Sequence, residues 1–296
     1  MPVDCIIVGG GPAGLMAAIY LARFRRSVCV VDAGMSRAAL IPRSHNIPGF
    51  AHGLSGPEFI ARMSRQLTDL SAPIIAAEVA VLTRTDNGFR ASWENGEIHA
   101  STAVLASGIV DVHPPFEEWC GALAEGLLRY CPICDAFEAA GQRIGVMGTL
   151  RHAAPKALFL RTYTKDVTLL ATQEDGDDNA EACLRNAGIN ILPTREPRLR
   201  RSGQRVEVTF NGDETAEFDV LYPAMGAQVR SGLALALGAE HDEEGYLRVD
   251  DRQRTSVDGL YGIGDVVSDL HQISVAVGHA AVAACAIHNA LPRSLA

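Results

Sequence analysis

The sequence lacks several features that mark nucleic-acid-binding, secreted and membrane proteins. Its formal net charge is −9 and it has no basic stripe with interleaved aromatic residues, so a nucleic-acid partner is not expected. Its seven cysteines are too scattered for the disulfide framework of a small secreted domain. The first residues do not have the basic start and uninterrupted apolar run of a signal peptide. We therefore expect a cytoplasmic protein.

One long apolar stretch, residues 273–291, has the length of a membrane span. It is rich in small residues and contains His279 and His288, which are unfavourable inside a bilayer. We predict a buried helix there and no membrane partner. The chain of 296 residues is long enough for two domains with separate cores.

Redox chemistry is indicated by Cys131 and Cys134, a C-x-x-C pair followed directly by Asp135. Two thiols at this spacing can form a disulfide and so exchange two electrons and two protons, and Asp135 could carry one of the protons. Half of a metal site and a pair without function are the alternatives. A structural zinc site needs four ligands and the other cysteines occur singly, so we predict no metal.

A dinucleotide site is predicted at the start of the chain. An apolar strand over residues 3–8 leads through Gly9, Gly11 and Gly14 of a G-x-G-x-x-G motif into a helix over residues 15–24. These glycines permit a tight turn, the approach of a pyrophosphate and close packing of the helix. The next strand ends at Asp32, which can bind ribose hydroxyls. The motif does not distinguish FAD from NAD.

Further elements of an α/β domain follow. We predict a helix over residues 56–70 and a three-stranded meander over residues 79–84, 88–93 and 97–99. A separate apolar run, residues 103–106, precedes Pro114 and Pro115, which we interpret as a crossing between domains. Near the C-terminus, a strand ending at Gly264-Asp265 and a helix from Ser274 are expected.

Residues 143–171 repeat the strand, helix and strand of the opening, with the helix predicted over residues 152–162. Their glycine motif is broken, because Leu150 stands where a pyrophosphate would approach the backbone. We expect its side chain to fill that space. After the second strand come Thr172, Gln173 and an acidic cluster, residues 174–178, without the arginine that a ribose 2′-phosphate requires. Binding of NAD(P)H is therefore doubtful.

The motifs, taken in this order, resemble those of the low-molecular-weight thioredoxin reductases over essentially the whole chain. They are Gly9 to Gly14, Ala106-Ser107-Gly108, Cys131 to Asp135, and Gly264-Asp265 followed by Gln272. The resemblance implies an α/β fold of two Rossmann-like, three-layer (ββα) domains, FAD as cofactor and a homodimer. The FAD domain, residues 1–113 and 239–296, would be interrupted by an NAD(P)-binding-like domain, residues 114–238, carrying the C-x-x-C pair.

The resemblance also implies roles for individual residues. Cys134 would lie against the flavin and react at its C4a position, Cys131 would exchange with the substrate, and Asp135 would act as general acid and base. His271 stands where the reductases have arginine. The implied cofactor-binding residues are Gly9, Gly11, Pro12, Ala13, Gly14, Asp32, Asn46, Val79, Ala106, Ser107, Gly108, Gly264, Asp265, His271, Gln272 and Ile273.

The clearest departure from these reductases is the NADPH site, since residues 148–153 and 171–173 match neither of its motifs. Ferredoxin-linked and other NADPH-independent reductases lack this site, as do the dithiol oxidases. We therefore predict an FAD-dependent thiol–disulfide oxidoreductase that does not use NADPH directly. Its substrate would be a thioredoxin-like protein or a small-molecule dithiol or disulfide, and Asp135 favours the reductases because the oxidases often have histidine there. The alternatives are an NADPH-dependent thioredoxin-disulfide reductase and a non-enzymatic flavin-binding protein.

Overall fold

The computed structural model describes residues 2–173, 178–268 and 270–292, which form two compact units. Within these ranges, unit 1 comprises residues 2–41, 54–110 and 229–292, and unit 2 comprises residues 42–53 and 111–228. Each unit is built around a sheet with parallel central strands and with helices, which confirms the predicted α/β, Rossmann-like fold class.

The chain enters unit 1 first and returns to it after unit 2. The first part of unit 1 contains β1 (Val3–Val8), α1 (Pro12–Arg23), β2 (Val28–Asp32), a 3-10 helix (Arg37–Leu40), α2 (Gly56–Asp69), β3 (Ile74–Ala76), β4 (Val81–Thr85), β5 (Gly88–Trp93) and β6 (Gly96–Leu105). The crossing strand β7 (Ile109–Asp111) leads to α3 (Trp119–Ala124), α4 (Pro132–Asp135), β8 (Ile144–Gly148), α5 (Leu150–Leu160), β9 (Val167–Ala171), α6 (Asp178–Asn186), β10 (Asn190–Pro193), β11 (Arg198–Ser202), β12 (Arg205–Phe210), β13 (Glu214–Phe218) and β14 (Val220–Ala224). The returning strand β15 (Ala227–Val229) leads to α7 (Gly232–Leu235), β16 (Leu260–Gly262), a second 3-10 helix (Gly264–Val266) and α8 (Ile273–Ala290).

A seven-stranded sheet organises unit 1, with strand order β3-β2-β1-β6-β5-β4 and β16 paired with β6. Successive residues of a strand point to opposite faces, and both faces of β1 are covered. Cys5 and Ile7 belong to the core formed with α1 and α8, whereas Ile6 and Val8 belong to the core on the other side. Burial on both faces explains why the sequence of β1 is almost continuously apolar.

The predicted third strand of the meander and the apolar run after it form one strand, β6. Its first half pairs antiparallel with β5, with Ala100 opposite Phe89, and its second half pairs parallel with β1, with Leu105 opposite Val8. The first half alternates between exposed residues and partly or fully buried ones, while Ala103 to Leu105 are all buried. The alternation of apolar and polar residues therefore stops in the middle of β6 although the strand continues. For this reason the sequence predicts two separate strands there.

A four-stranded parallel sheet, in the order β10-β9-β8-β14, forms the centre of unit 2. One of its faces packs against α5 and α6, and its other face packs against the antiparallel sheet β11-β12-β13. All five residues of β8 and of β14 are buried. The strand, helix and strand predicted over residues 143–171 are confirmed, although α5 begins at Leu150 rather than His152.

The boundaries of the two units differ from the predicted domain boundaries in two respects. The crossings lie within β7 and β15, which pair with each other, rather than at residues 113 and 238. In addition, Pro42–Gly53 packs with unit 2 although its neighbours on both sides belong to unit 1. An ion pair of 2.9 Å between His45 Nδ1 and Glu138 Oε1 joins this segment to the residues that follow the C-x-x-C pair.

Helix α8 is, among the described residues, the one helix long and apolar enough to cross a membrane. Ala276, Ala280, Ala284 and Ile287 lie on its buried side, in the core that α8 shares with α1. Its C-terminal end is held by Arg26, whose guanidinium donates to the carbonyls of residues 288, 291 and 292. The predicted buried helix is thus packed on one side in unit 1.

Candidate active site

Cys131 and Cys134 are joined by a disulfide at the start of α4. Cys131 precedes the first helical residue, Pro132, whose fixed φ suits that position, and the Cys134 N–H donates to the Cys131 carbonyl at 2.9 Å. One turn of backbone therefore brings the two Cα atoms to 5.3 Å. Both cysteines are partly exposed, so the disulfide is accessible to a thiol.

Asp135 lies directly behind the disulfide and is anchored at its backbone and its side chain. The Arg129 guanidinium donates to the Asp135 carbonyl at 2.8 Å, and the Tyr222 hydroxyl donates to Asp135 Oδ1 at 2.8 Å. Burial raises the pKa of the Asp135 carboxyl from 3.8 to about 6, an effect that the Tyr222 hydrogen bond and Arg129 oppose and that Glu138 reinforces. A carboxyl with this pKa can both accept and release a proton near neutral pH.

We expect replacement of Asp135 by asparagine to alter how stability depends on pH. Because the pKa is about 6 in the folded protein and 3.8 ordinarily, the folded state holds its proton in a range where the unfolded state has lost it. Stability should therefore fall by roughly 2 kcal/mol as pH rises from 4 to 7, and Asp135→Asn should remove this loss. Urea titrations of both proteins across this range measure the difference, and parallel pH curves would contradict the assignment.

A cleft in unit 1 lies at the carboxyl ends of β1 and β2 and at the first turn of α8. The loop between β1 and α1 forms one wall, with Gly9, Gly10 and Gly11, and Asp32 lies at the end of β2. The N-terminal ends of α1 and α8 both contribute residues to the lining. Ligands of open α/β sheets bind at this edge, where helix N-termini favour anionic groups.

The loop after β1 fits the pyrophosphate of FAD. Gly9 has a φ of 108°, and a Cβ there would lie 2.4 Å from the Ala106 carbonyl oxygen. A Cβ at Gly11 would come close only to the Ser36 side chain, so the Gly11 backbone stays accessible from the cleft. Asp32 Oδ1 accepts from the Gly10 N–H at 2.9 Å, which places its carboxylate beside the loop, as ribose binding requires.

The structure brings together in the cleft every predicted cofactor-binding residue except Gly14 and Asn46. Gly14 acts indirectly, because a Cβ there would lie 1.9 Å from the Gly9 carbonyl oxygen and would push α1 away from the loop. Asn46 belongs to unit 2, where its Oδ1 accepts from the Ser44 hydroxyl at 2.8 Å. The proximity of Asn46 to the flavin therefore stays a prediction.

Two arginines that the sequence analysis did not single out line the cleft. Arg37 lies on the 3-10 helix after β2, and Arg230 follows β15. The Arg230 carbonyl accepts from the hydroxyl of Ser107, a predicted site residue, at 2.5 Å. Neither arginine falls within a recognisable motif, so only the fold reveals that both face the cleft.

The turn between β8 and α5 differs from its counterpart in unit 1. Three residues, Gly9 to Gly11, separate β1 from α1, whereas Thr149 alone separates β8 from α5. Leu150 is buried in the core of unit 2, so our expectation that its side chain fills the phosphate space is wrong. The shorter turn, in which Thr149 and Leu150 follow Gly148 where Gly10 and Gly11 follow Gly9 in unit 1, is the departure that remains. Of the acidic cluster, residues 174–177 lie outside the described residues.

Histidines near the two sites each have a partner. His271 lines the cleft and its Nε2 lies 3.1 Å from the Tyr246 hydroxyl. His279 Nδ1 accepts from the Gly264 N–H at 3.3 Å, and burial lowers the pKa of His279. In unit 2, the ring of His113 stacks on Trp119. Among the described residues, no group of three or more His, Cys, Asp or Glu side chains is placed to hold a metal ion.

Comparison with known proteins shows similarity over almost the entire chain. Residues 3–280 match the family model described as pyridine nucleotide-disulphide oxidoreductase. The thioredoxin reductase of Mycolicibacterium smegmatis is 30% identical over 299 residues, which are 95% of this chain and 94% of the relative. That of Treponema pallidum is also 30% identical, with the same coverage. Among solved structures, HlmI has a TM-score of 0.90 at 26% identity, covering 97% of this chain and 92% of HlmI.

Proposed function

The chain belongs to the pyridine nucleotide-disulphide oxidoreductase family and is a thioredoxin reductase-like, FAD-dependent disulfide oxidoreductase. From this we propose that Cys131 and Cys134 transfer electrons between a thiol substrate and FAD, without NADPH as the direct donor. The observation that carries this proposal is the accessible disulfide at α4 with the anchored Asp135 behind it. FAD would be held by Gly9, Gly11 and Asp32, in the cleft of unit 1.

In the oxidising direction, a substrate dithiol reduces the Cys131–Cys134 disulfide. A substrate thiolate attacks Cys131 Sγ and breaks the disulfide, so that Cys134 leaves as a thiolate. The second substrate thiolate attacks the substrate sulfur of the mixed disulfide, releases Cys131 and leaves the substrate as a disulfide. The cysteine pair then holds two electrons. Of the two protons lost by the substrate thiols, Asp135 takes one and the solvent takes the other. FAD held by Gly9, Gly11 and Asp32 would supply the two-electron acceptor for the cysteine pair, with molecular oxygen as the final oxidant and hydrogen peroxide as its product.

The same residues support the reverse flux if another electron donor reduces FAD. Electrons then pass to the Cys131–Cys134 disulfide, and the Cys131 thiolate attacks a substrate disulfide, releasing one substrate thiolate and forming a mixed disulfide. Cys134 attacks Cys131 of that mixed disulfide, releases the second substrate thiolate and re-forms the Cys131–Cys134 bond. Asp135 returns the proton that the released substrate thiolate requires. In this direction the enzyme would be a reductase fed by a donor other than NADPH.

Two features of unit 2 support the absence of direct NADPH use. The turn between β8 and α5 is shorter than the phosphate-binding turn of unit 1 and lacks its second and third glycines. At the end of β9, Ala171 is followed by Thr172 and Gln173, without an arginine for a 2′-phosphate. A nucleotide would therefore find fewer backbone donors at this turn and no arginine at Thr172 or Gln173, directly after β9.

An anaerobic spectrum of the purified FAD enzyme tests the proposal. Dithiothreitol should bleach the flavin band, whereas an equimolar amount of NADPH should leave it unchanged over the same time. Rapid return of the flavin colour on admitting air would favour oxidation of dithiols. Slow return would favour a reductase fed by another donor. Bleaching by NADPH within seconds would contradict the proposal.

An ordinary NADPH-dependent thioredoxin reductase is the second candidate. It is favoured by the curated relatives from M. smegmatis and T. pallidum, which carry that name and match this chain over 94% of their own length. Fast flavin reduction by NADPH would establish it. A non-enzymatic flavin-binding protein is a third possibility, against which the Cys131–Cys134 disulfide and Asp135 argue, because flavin binding alone requires neither.

We propose a thioredoxin-like protein or a small-molecule dithiol or disulfide as the substrate. Ile133 and Phe137, which flank Cys134, are 52% and 79% exposed, and an apolar surface on either kind of substrate would cover them.

We also propose a cytoplasmic homodimer. Light scattering of the purified enzyme tests the dimer, and comparing turnover with thioredoxin and with small dithiols separates the two substrate classes.

A further inference from the structure

Tyr222 occupies an unusual position for a polar side chain. It lies at the centre of β14, a strand of five buried residues in which its hydroxyl is the only polar side-chain group. Tyr222 itself is fully buried. A buried tyrosine hydroxyl requires a hydrogen-bond partner, whereas phenylalanine would fill almost the same volume without that requirement. The hydroxyl therefore has a role that the packing of the core does not explain.

The partner of that hydroxyl is the carboxyl next to the redox disulfide. The Tyr222 hydroxyl donates to Asp135 Oδ1 at 2.8 Å across 87 positions in sequence. The adjacent residue of β14, Leu221, accepts from the Arg129 N–H at 2.9 Å, and the Arg129 guanidinium donates to the Asp135 carbonyl. Both the backbone and the side chain of Asp135 are thus tied to β14, a rigid central strand of the sheet.

We propose that Tyr222 is a positioning residue that sets the orientation and the acidity of Asp135. The inference rests on the proposed function, in which Asp135 exchanges a proton with the cysteine pair and its substrate. The Tyr222 bond occupies Oδ1, so proton exchange is carried by Oδ2. Donation by the hydroxyl also stabilises the ionised carboxylate and offsets part of the effect of burial, which keeps the carboxyl able to titrate near neutral pH.

The other charged groups around Asp135 do not replace this effect. Glu138 opposes ionisation of Asp135, and it is paired with His45 at 2.9 Å. Arg129 favours ionisation, but its guanidinium donates to the backbone carbonyls of Gly126 and Asp135 and contacts the Tyr222 hydroxyl rather than the Asp135 carboxyl. Lys156 of α5 donates to the carbonyls of residues 130 and 223. Tyr222 is the group that donates directly to the Asp135 carboxyl among the hydrogen bonds described.

Tyr222→Phe tests the proposal because it removes the hydroxyl and keeps the ring. We expect the infrared band of the protonated Asp135 carboxyl, identified by its loss in Asp135→Asn, to titrate about one pH unit higher in Tyr222→Phe than in the wild-type FAD enzyme. The pH profile of flavin reduction by dithiothreitol should shift by the same amount. Tyr163→Phe is the matched control, since it removes a hydroxyl from a ring packed against the core of unit 2.

Identical infrared titrations of the wild type and Tyr222→Phe would overturn the proposal. If Tyr222→Phe does not fold, 3,5-difluorotyrosine at position 222 keeps the hydroxyl and makes it a stronger donor, so the Asp135 titration should move to lower pH. Failure of that shift would equally overturn the inference. The infrared measurement does not depend on turnover. An enzyme that dithiothreitol fails to reduce, but whose Asp135 titration shifts, would therefore contradict the proposed function and support the coupling of Tyr222 to Asp135.

Discussion

Replacing Cys131 by serine is expected to lower the rate of flavin reduction by dithiothreitol by about 10³-fold or more, since a serine hydroxyl can form neither the disulfide nor the mixed disulfide. The fold should be retained, because Cys131 is partly exposed and makes no part of the buried cores. Stopped-flow measurement of flavin absorbance under anaerobic conditions gives the rate. Unchanged reduction would show that the substrate reaches FAD without the cysteine pair.

Comparison with Cys134→Ser separates the roles of the two cysteines. If Cys131 is the residue that exchanges with substrate, its thiolate in Cys134→Ser should attack a disulfide substrate, release one substrate thiolate and leave a mixed disulfide that no second cysteine resolves. Mass spectrometry should detect this mixed disulfide in Cys134→Ser and not in Cys131→Ser. The matched control is Cys120→Ser, which removes an exposed free cysteine from the same unit. Trapping by Cys131→Ser alone would reverse the assignment.

Gly9→Ala is expected to abolish FAD binding and to destabilise unit 1 by about 2–4 kcal/mol. Gly9 has a φ of 108°, which a residue with a side chain rarely adopts, and its added Cβ would lie 2.4 Å from the backbone oxygen of Ala106. Relief of this contact requires movement of the loop after β1 or of the end of β6, and both line the cleft. The FAD content per chain after gel filtration and a urea titration measure the two effects.

Gly278→Ala provides the control for the same chemical change. Gly278 lies inside α8, and a Cβ there would meet no atom within 4 Å. Alanine is the better helix former, so this variant should keep FAD and gain about 0.5–1 kcal/mol. Full FAD content in Gly9→Ala would mean that the loop after β1 is not the pyrophosphate site.

The elements that were predicted well are those with strong local patterns. The strand over residues 3–8, the glycine loop and Asp32 follow one another within one βαβ unit, and the structure places them together at one edge of the sheet. β6 was divided wrongly because burial changes from one face to both faces along its length. Periodicity reports burial, and it indicates backbone continuity only where burial is uniform.

In the C-x-x-C segment, too, one part of the site is predictable from the sequence and another part is not. Spacing alone indicated that Cys131 and Cys134 could form a disulfide, because one helical turn suffices to bring them together. Tyr222, by contrast, could not be recognised, since in the run Val-Leu-Tyr-Pro-Ala a tyrosine reads as one more large core residue. Its function became visible only when β14 was placed beside the end of α4.

By itself, the sequence determined the two Rossmann-like units, the dinucleotide loop and the redox pair, because each depends on residues close together in the chain. Only the tertiary structure decided that the Leu150 side chain enters the core, that Pro42–Gly53 packs with unit 2, and that Asp135 is held by Tyr222. These outcomes depend on which faces of distant strands and helices meet. A local pattern shows that a face is apolar, but the partner that covers it is selected by the packing of the whole unit.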